Sequence, residues 1–143
     1  MSKLAVKQKR LNTVSAKNLA EIQIHLLNVV SSQRFLKNEG LNNEVPFHIC
    51  PFEPDISRDI LQAVKQLKNE LINKGITVLE INLYDLVTEI LKAEGDWSWL
   101  VENESTLARE ELKNELQGIL DTETVLIPAI VKKMKSASYN VIF

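Results

Sequence analysis

The sequence is poor in the residues that most often carry recognisable chemistry. A single cysteine, Cys50, excludes an internal disulfide framework and any multi-cysteine zinc site. The apolar runs are only a few residues long, too short to span a bilayer. The start, Met1-Ser2-Lys3-Leu4, has no apolar signal core and no small-residue cleavage pattern. Neither sign of charge dominates: 17 basic against 19 acidic residues leave a formal net charge of −2. That balance argues against a general binder of nucleic acid or anionic membrane, which needs a positive field. What is present is a chain of 143 residues, 45% hydrophobic and 25% charged. Such a chain can bury a core and has the size of one domain, here expected in the cytoplasm.

With four glycines and four prolines in the whole chain, each one carries information about where elements end. Before Gly40 the apolar spacing of Leu19, Ile22, Leu26, Leu27, Val30, Phe35 and Leu36 reads as helix, interruptible at Ser31-Ser32. Lys3, Lys7, Lys9 and Arg10 form a basic lead-in, more simply a solvated helix end than a DNA-contacting arm. Val45-Pro46-Phe47-His48-Ile49-Cys50 reads as a buried strand ended by Pro51 and Pro54, with Asp55 placed to cap the next helix. Ile56, Ile60, Ala63, Val64, Leu67 and Leu71 give that helix one apolar stripe, and Lys74-Gly75 stops it. Ile76 to Leu83 reads as a second strand, and Tyr84 to Lys92 as a helix stopping near Gly95. A further helix is expected from Glu104 to Leu120 and another from Asp121 or Thr122 to Ser136, opened or kinked by Pro128. Tyr139 to Phe143 reads as a last strand.

Together these elements predict a small Rossmann-like, three-layer α/β domain over 1–143. A helical N-terminal segment covers about 1–39, and sheet with crossover helices covers about 45–143. The sheet would be mainly parallel with about three strands in the order 2-1-3. Phe47–Cys50 would lie centrally between Thr77–Leu83 and Tyr139–Phe143 because of its hydrophobicity. A chain stopping on an apolar strand is expected to be a portion of a longer protein, with an open strand edge that favours self-association.

The usual catalytic and binding patterns find little support. The loop Cys50-Pro51-Phe52-Glu53-Pro54 has no glycine and loses two amides to proline, so it makes a poor phosphate cradle. Asn82-Leu83-Tyr84-Asp85 is no richer, and Asp85 reads as a helix cap. His25, His48 and Cys50 are the residues with metal or nucleophile potential, and Glu53 or Asp85 would have to complete a ligand set. A buried cysteine beside a histidine at a sheet end is the simpler reading, and no catalytic, cofactor or metal residue is assigned. The most distinctive stretch is Glu94 to Glu123, with nine acidic residues against Arg109 and Lys113 and with Trp97 and Trp99 at its start. Trp97, Trp99, Glu102 and Glu104 are therefore the candidate partner-binding residues, selective for a basic partner.

Two longer blocks carry a resemblance. Gly40-Leu41-Asn42-Asn43-Glu44-Val45-Pro46-Phe47-His48-Ile49, followed by Pro54, resembles the signature of the BrxB family. Gly75-Ile76-Thr77-Val78-Leu79-Glu80-Ile81-Asn82-Leu83-Tyr84-Asp85-Leu86 is similar to that family's next element, and the likeness runs from about Leu19 to Phe143. The resemblance implies a component of BREX, a bacteriophage-resistance system, with no catalysis and no cofactor of its own. It further implies an adaptor that links a phosphatase-like protein (PglZ) to a large AAA+ ATPase (BrxC), alongside a DNA methyltransferase (PglX). The alternative is a Rossmann-like enzyme or nucleotide sensor whose site is completed by residues beyond Phe143.

Overall fold

Helices dominate residues 13–37 and 48–143, the part of the chain that the computed structural model describes. The chain divides into two compact units, Met1–Val78 and Leu79–Phe143.

In the first unit, local side-chain capping fixes the opening elements. Asn18 accepts from the Ser15 N–H (2.8 Å) and donates to the Thr13 carbonyl (3.1 Å), setting the turn into α1 (Leu19–Val30). The serine pair then splits the predicted helix. Ser32 donates to the Val29 carbonyl (2.6 Å) and accepts from the Phe35 N–H (3.3 Å), so it caps a separate short helix, α2 (Gln33–Leu36). After a 3-10 turn at Pro54–Ile56 comes α3 (Ser57–Asn73), which packs against α1. Ile56, Ala63, Leu67 and Leu71 are buried and Ile60 and Val64 half-buried, so the predicted stripe is the inward face. Asp55 does not cap this helix; it sits within the 3-10 turn, and the Ser57 hydroxyl turns back onto the Pro54 carbonyl instead. The stop at Lys74-Gly75 is as predicted. Gly75 adopts φ +78°, its N–H donates to the Ile72 carbonyl (2.9 Å), and the Ile76 N–H reaches the Leu71 carbonyl (3.0 Å). That double bond pattern is a Schellman motif.

The three-stranded Rossmann-like sheet is not there. Among the described residues the sheet has two short parallel strands, β1 (Val78–Leu79) and β2 (Val141–Ile142), paired directly with each other. The strand expected to separate them is absent at His48, Ile49 and Cys50, and Ile49 is 75% exposed; Val45 to Phe47 lie outside the described residues. Extended pairing falls beyond Pro51 instead. The Val14 N–H donates to the Pro51 carbonyl (2.7 Å) and the Glu53 N–H to the Val14 carbonyl (3.1 Å), forming an isolated parallel bridge between Val14 and Phe52. The physical reason is that apolar content alone does not make a strand. A short run flanked by prolines, which have no N–H, offers few donors to a ladder. The predicted strand Thr77–Leu83 shrinks for a related reason: the Schellman motif claims Ile76 at one end and a helix cap claims Asn82 at the other.

The second unit is a helical crossover between the two strands. The ladder continues past the strands with bonds from the Phe143 N–H to the Leu79 carbonyl (2.8 Å) and from the Ile81 N–H to the Phe143 carbonyl (2.9 Å). α4 (Leu83–Glu94) is followed by α5 (Asp96–Asn103), α6 (Arg109–Ile119), a π turn (Thr122–Leu126) and α7 (Ile127–Lys135). The single helix predicted over Glu104–Leu120 is thus only α6, and α5 is an element that the apolar spacing did not reveal. Pro128 both opens α7 and explains the π turn before it. It cannot donate to the preceding turn, and the Leu126 N–H reaches five residues back to the Asp121 carbonyl (3.1 Å). Leu86, Leu91, Leu100 and Val141 are the buried centre of this unit.

Asn82, rather than Asp85, caps α4: its side-chain oxygen accepts from the Tyr84 N–H (2.9 Å) and the Asp85 N–H (3.3 Å). Thermal or denaturant unfolding should therefore show Asn82→Ala costing about 1 kcal/mol. Asp85→Ala removes only a charge near the helix N-terminus and should cost a few tenths. Equal losses, or a larger loss at Asp85, would contradict this assignment.

Candidate interaction site

The acidic segment is shaped by two backbone devices. Gly95 ends α4 at φ +85°, a left-handed conformation that costs other residues energy, and the chain turns directly into α5. Leu100, buried, anchors α5 to its unit. At roughly 100° per residue, Trp97 lies on the flank of that anchor while Trp99 points about 160° away from Trp97. The two indoles consequently differ. Trp97 is half-buried, with the Lys92 ammonium 5.1 Å from its ring centroid in a cation–π contact. Trp99 is 43% exposed and shares its side of the helix with exposed Glu102, three residues on. Of the four candidate residues, Trp99, Glu102 and Glu104 are exposed, and Trp97 belongs partly to the packing of its own unit.

Past α5 the helix breaks because polar side chains and backbone groups compete for the same partners. Asn103 donates its amide to the Trp99 carbonyl (2.8 Å), while its own carbonyl accepts from the Thr106 hydroxyl (2.9 Å) and N–H (3.0 Å). Glu111 then reaches back to the Ala108 N–H (3.1 Å), which starts α6. Lys113 lies 3.5 Å from Glu110, both exposed, so one of the two cations in the segment already faces an acid. Asp121 accepts from the Thr124 hydroxyl (2.7 Å) and N–H (2.8 Å). Those bonds, the hydroxyl's first, hold its carboxyl below the usual aspartate range.

The other candidates gather in the first unit and offer little chemistry. The His48 ring packs on Phe35, centroids 5.7 Å apart at 41°. Its pKa is lowered, first by desolvation and then by the neighbouring His25. Cys50 is half-buried, and burial raises its thiol pKa, away from thiolate reactivity. At Pro51–Pro54 the Glu53 amide is already spent on Val14, so the loop that could cradle phosphate has lost that donor as well. No group of three or more His, Cys, Asp or Glu among the described residues is placed to hold a metal. No helix among them is long and apolar enough to cross a membrane.

Comparison with known proteins meets this geometry at its boundary. The family model for BREX protein BrxB matches residues 79–143, the same span as the second compact unit. A curated BREX protein BrxB from Escherichia coli O9:H4 (strain HS) is 25% identical over 111 residues, covering 78% of this chain and 54% of that protein. Over its second unit the chain is similar to the BrxB family. A BREX protein BrxB from Bacillus cereus (strain H3081.97) is 27% identical over 71 residues, 49% of this chain and 37% of the relative. The matches thus span about half of one BrxB relative and little more than a third of the other. Neither name carries an enzymatic activity. No solved structure matches.

The shifted groups give a pH signature. Asp121 has a lowered folded pKa, so its contribution to stability is present above the unfolded value. It is lost as pH falls through the folded one. His48 is protonated less readily when folded, so its neutral form favours the native state, and that advantage is lost as pH falls below the ordinary histidine range. NMR titration should place the Asp121 carboxyl below a peptide aspartate and His48 below a peptide histidine, with Thr124→Ala moving Asp121 back upward. An Asp121 titration that Thr124→Ala leaves unchanged would contradict this cause.

Proposed function

We propose that this chain acts as a non-enzymatic adaptor within a BREX assembly, using the acidic face of its second unit to hold a basic partner. The observation that carries the reading is the coincidence of the family match, 79–143, with a folded unit of strongly negative charge. That stretch holds twelve acidic and six basic residues, a formal −6. Trp99 gives the face an anchor, because tryptophan loses little freedom when it docks and buries a large apolar area. The acidic surroundings steer a basic surface into contact and reject an acidic one. Partners of the resembling family, the phosphatase-like PglZ, the AAA+ ATPase BrxC and the methyltransferase PglX, are the proteins to test first.

Pull-down of each of these three proteins by the full chain is the direct experiment, with titration of whichever binds. Trp99→Ala should weaken association by about 2 kcal/mol, roughly thirtyfold, while circular dichroism stays unchanged. Trp97→Ala should instead lower thermal stability, through lost packing and the lost Lys92 contact. Association should slow markedly as salt rises. Binding that survives Trp99→Ala and is indifferent to salt would move the partner elsewhere, and phosphoester or nucleotide turnover by the purified chain would end the adaptor reading.

A further inference from the structure

The helix α3 has a second ordered face, and it points into solvent. At roughly 100° per residue, Arg58, Leu61, Lys65, Lys68 and Ile72 fall within an arc of about 80°. Arg58 and Lys65 are exposed, and Leu61 and Ile72 are 66% and 50% exposed. The acids of this helix, Asp59 and Glu70, lie on another flank, so the arc combines three cations with two aliphatic side chains and no carboxylate. Single exposed leucines are ordinary. Two aliphatics three turns apart in one row, alternating with cations, form the i, i+4, i+7, i+11 series by which a helix docks on a partner.

The chain itself carries a surface of the opposite character. Residues 1–78 hold eleven basic and seven acidic residues, +4, against −6 for residues 79–143. On the second unit, Trp99 and Val101 are exposed beside exposed Glu102 and Glu104, again apolar anchors among charges, now negative. We infer that these two surfaces meet between copies: the basic stripe of α3 on one chain docks on the acidic Trp99 segment of a second chain. Different patches face each other in such a contact, and two copies can make it reciprocally as a two-fold pair or repeat it head-to-tail. Charge brings the surfaces together, and Leu61, Ile72 and Trp99 exclude water once they meet. The acidic segment is also the face assigned above to a basic partner, so a second copy and that partner compete for it. Self-association is measured with no partner present, and either reading can fail without the other.

The test is sedimentation of the full chain over a concentration series. At low salt it should associate with concentration, and about 1 M salt, where the screening length is about 3 Å, should weaken association tenfold or more. The double variant Arg58→Glu/Lys65→Glu should be monomeric, as should Glu102→Lys/Glu104→Lys, each with unchanged circular dichroism because all four side chains are exposed. Mixing the two variants should restore a one-to-one complex, since each then presents one intact surface and the reversed charges also match. A parent chain that stays monomeric at every concentration would overturn the inference, as would reversed variants that associate like the parent or fail to pair when mixed. Retention of a DNA duplex through Arg58 and Lys65 by a strictly monomeric chain would assign the stripe to phosphates and overturn it equally.

Discussion

The short parallel ladder between β1 and β2, with its bonds from Phe143 to Leu79 and from Ile81 to Phe143 among others, closes the second unit. Bringing the ends of so long a segment together costs about 4 kcal/mol in loop-closure entropy. Each backbone bond of the ladder contributes about 1 kcal/mol, so a ladder of two-residue strands leaves little margin over that cost. The margin comes from burial of Leu86, Leu91, Leu100 and Val141, each contributing about 1.5–3 kcal/mol. The ladder decides where the chain ends meet, and helix packing decides that they stay.

That division of labour explains the acidic face. α5 is held by Leu100 on one side and entered through Gly95, so its orientation is set by the buried centre rather than by its charges. Once Leu100 and Trp97 are committed inward, Trp99 and Glu102 have to face outward. The acids of α6 follow in solvent, where self-repulsion is small because water and salt screen it. A negative surface on a unit with an independent core can be recognised without being needed for folding. This is what an adaptor requires.

Much of the chain was legible in its sequence, and the failures have physical causes. The inward stripe of α3, its stop at Gly75, the break at Ser31-Ser32 and the effect of Pro128 all follow from local rules, because capping and periodicity act within a few residues. The sheet did not follow. An apolar run at Val45–Cys50 and a β-branched run at Ile76–Leu83 look like strands by composition, yet strand pairing depends on distant donors and acceptors. At Ile76 and Asn82 local caps took those groups first. α5 was missed because Asp96–Asn103 spans little more than two turns, too short for apolar periodicity to register; Gly95 followed by an acid was the available signal. Trp99 was singled out from type and setting, but its separation from Trp97 needed the helix.

The proposed adaptor role requires a ladder-closed acidic unit that binds through α5. Amide hydrogen exchange of the full chain, alone and with the BREX phosphatase-like protein, tests it in one measurement. The Ile81 and Phe143 amides should exchange slowly in both states, and protection gained on binding should concentrate over residues 96–104. Fast exchange at Ile81 and Phe143 while the helices remain protected, or protection that appears over 48–56 and not over 96–104, would contradict it.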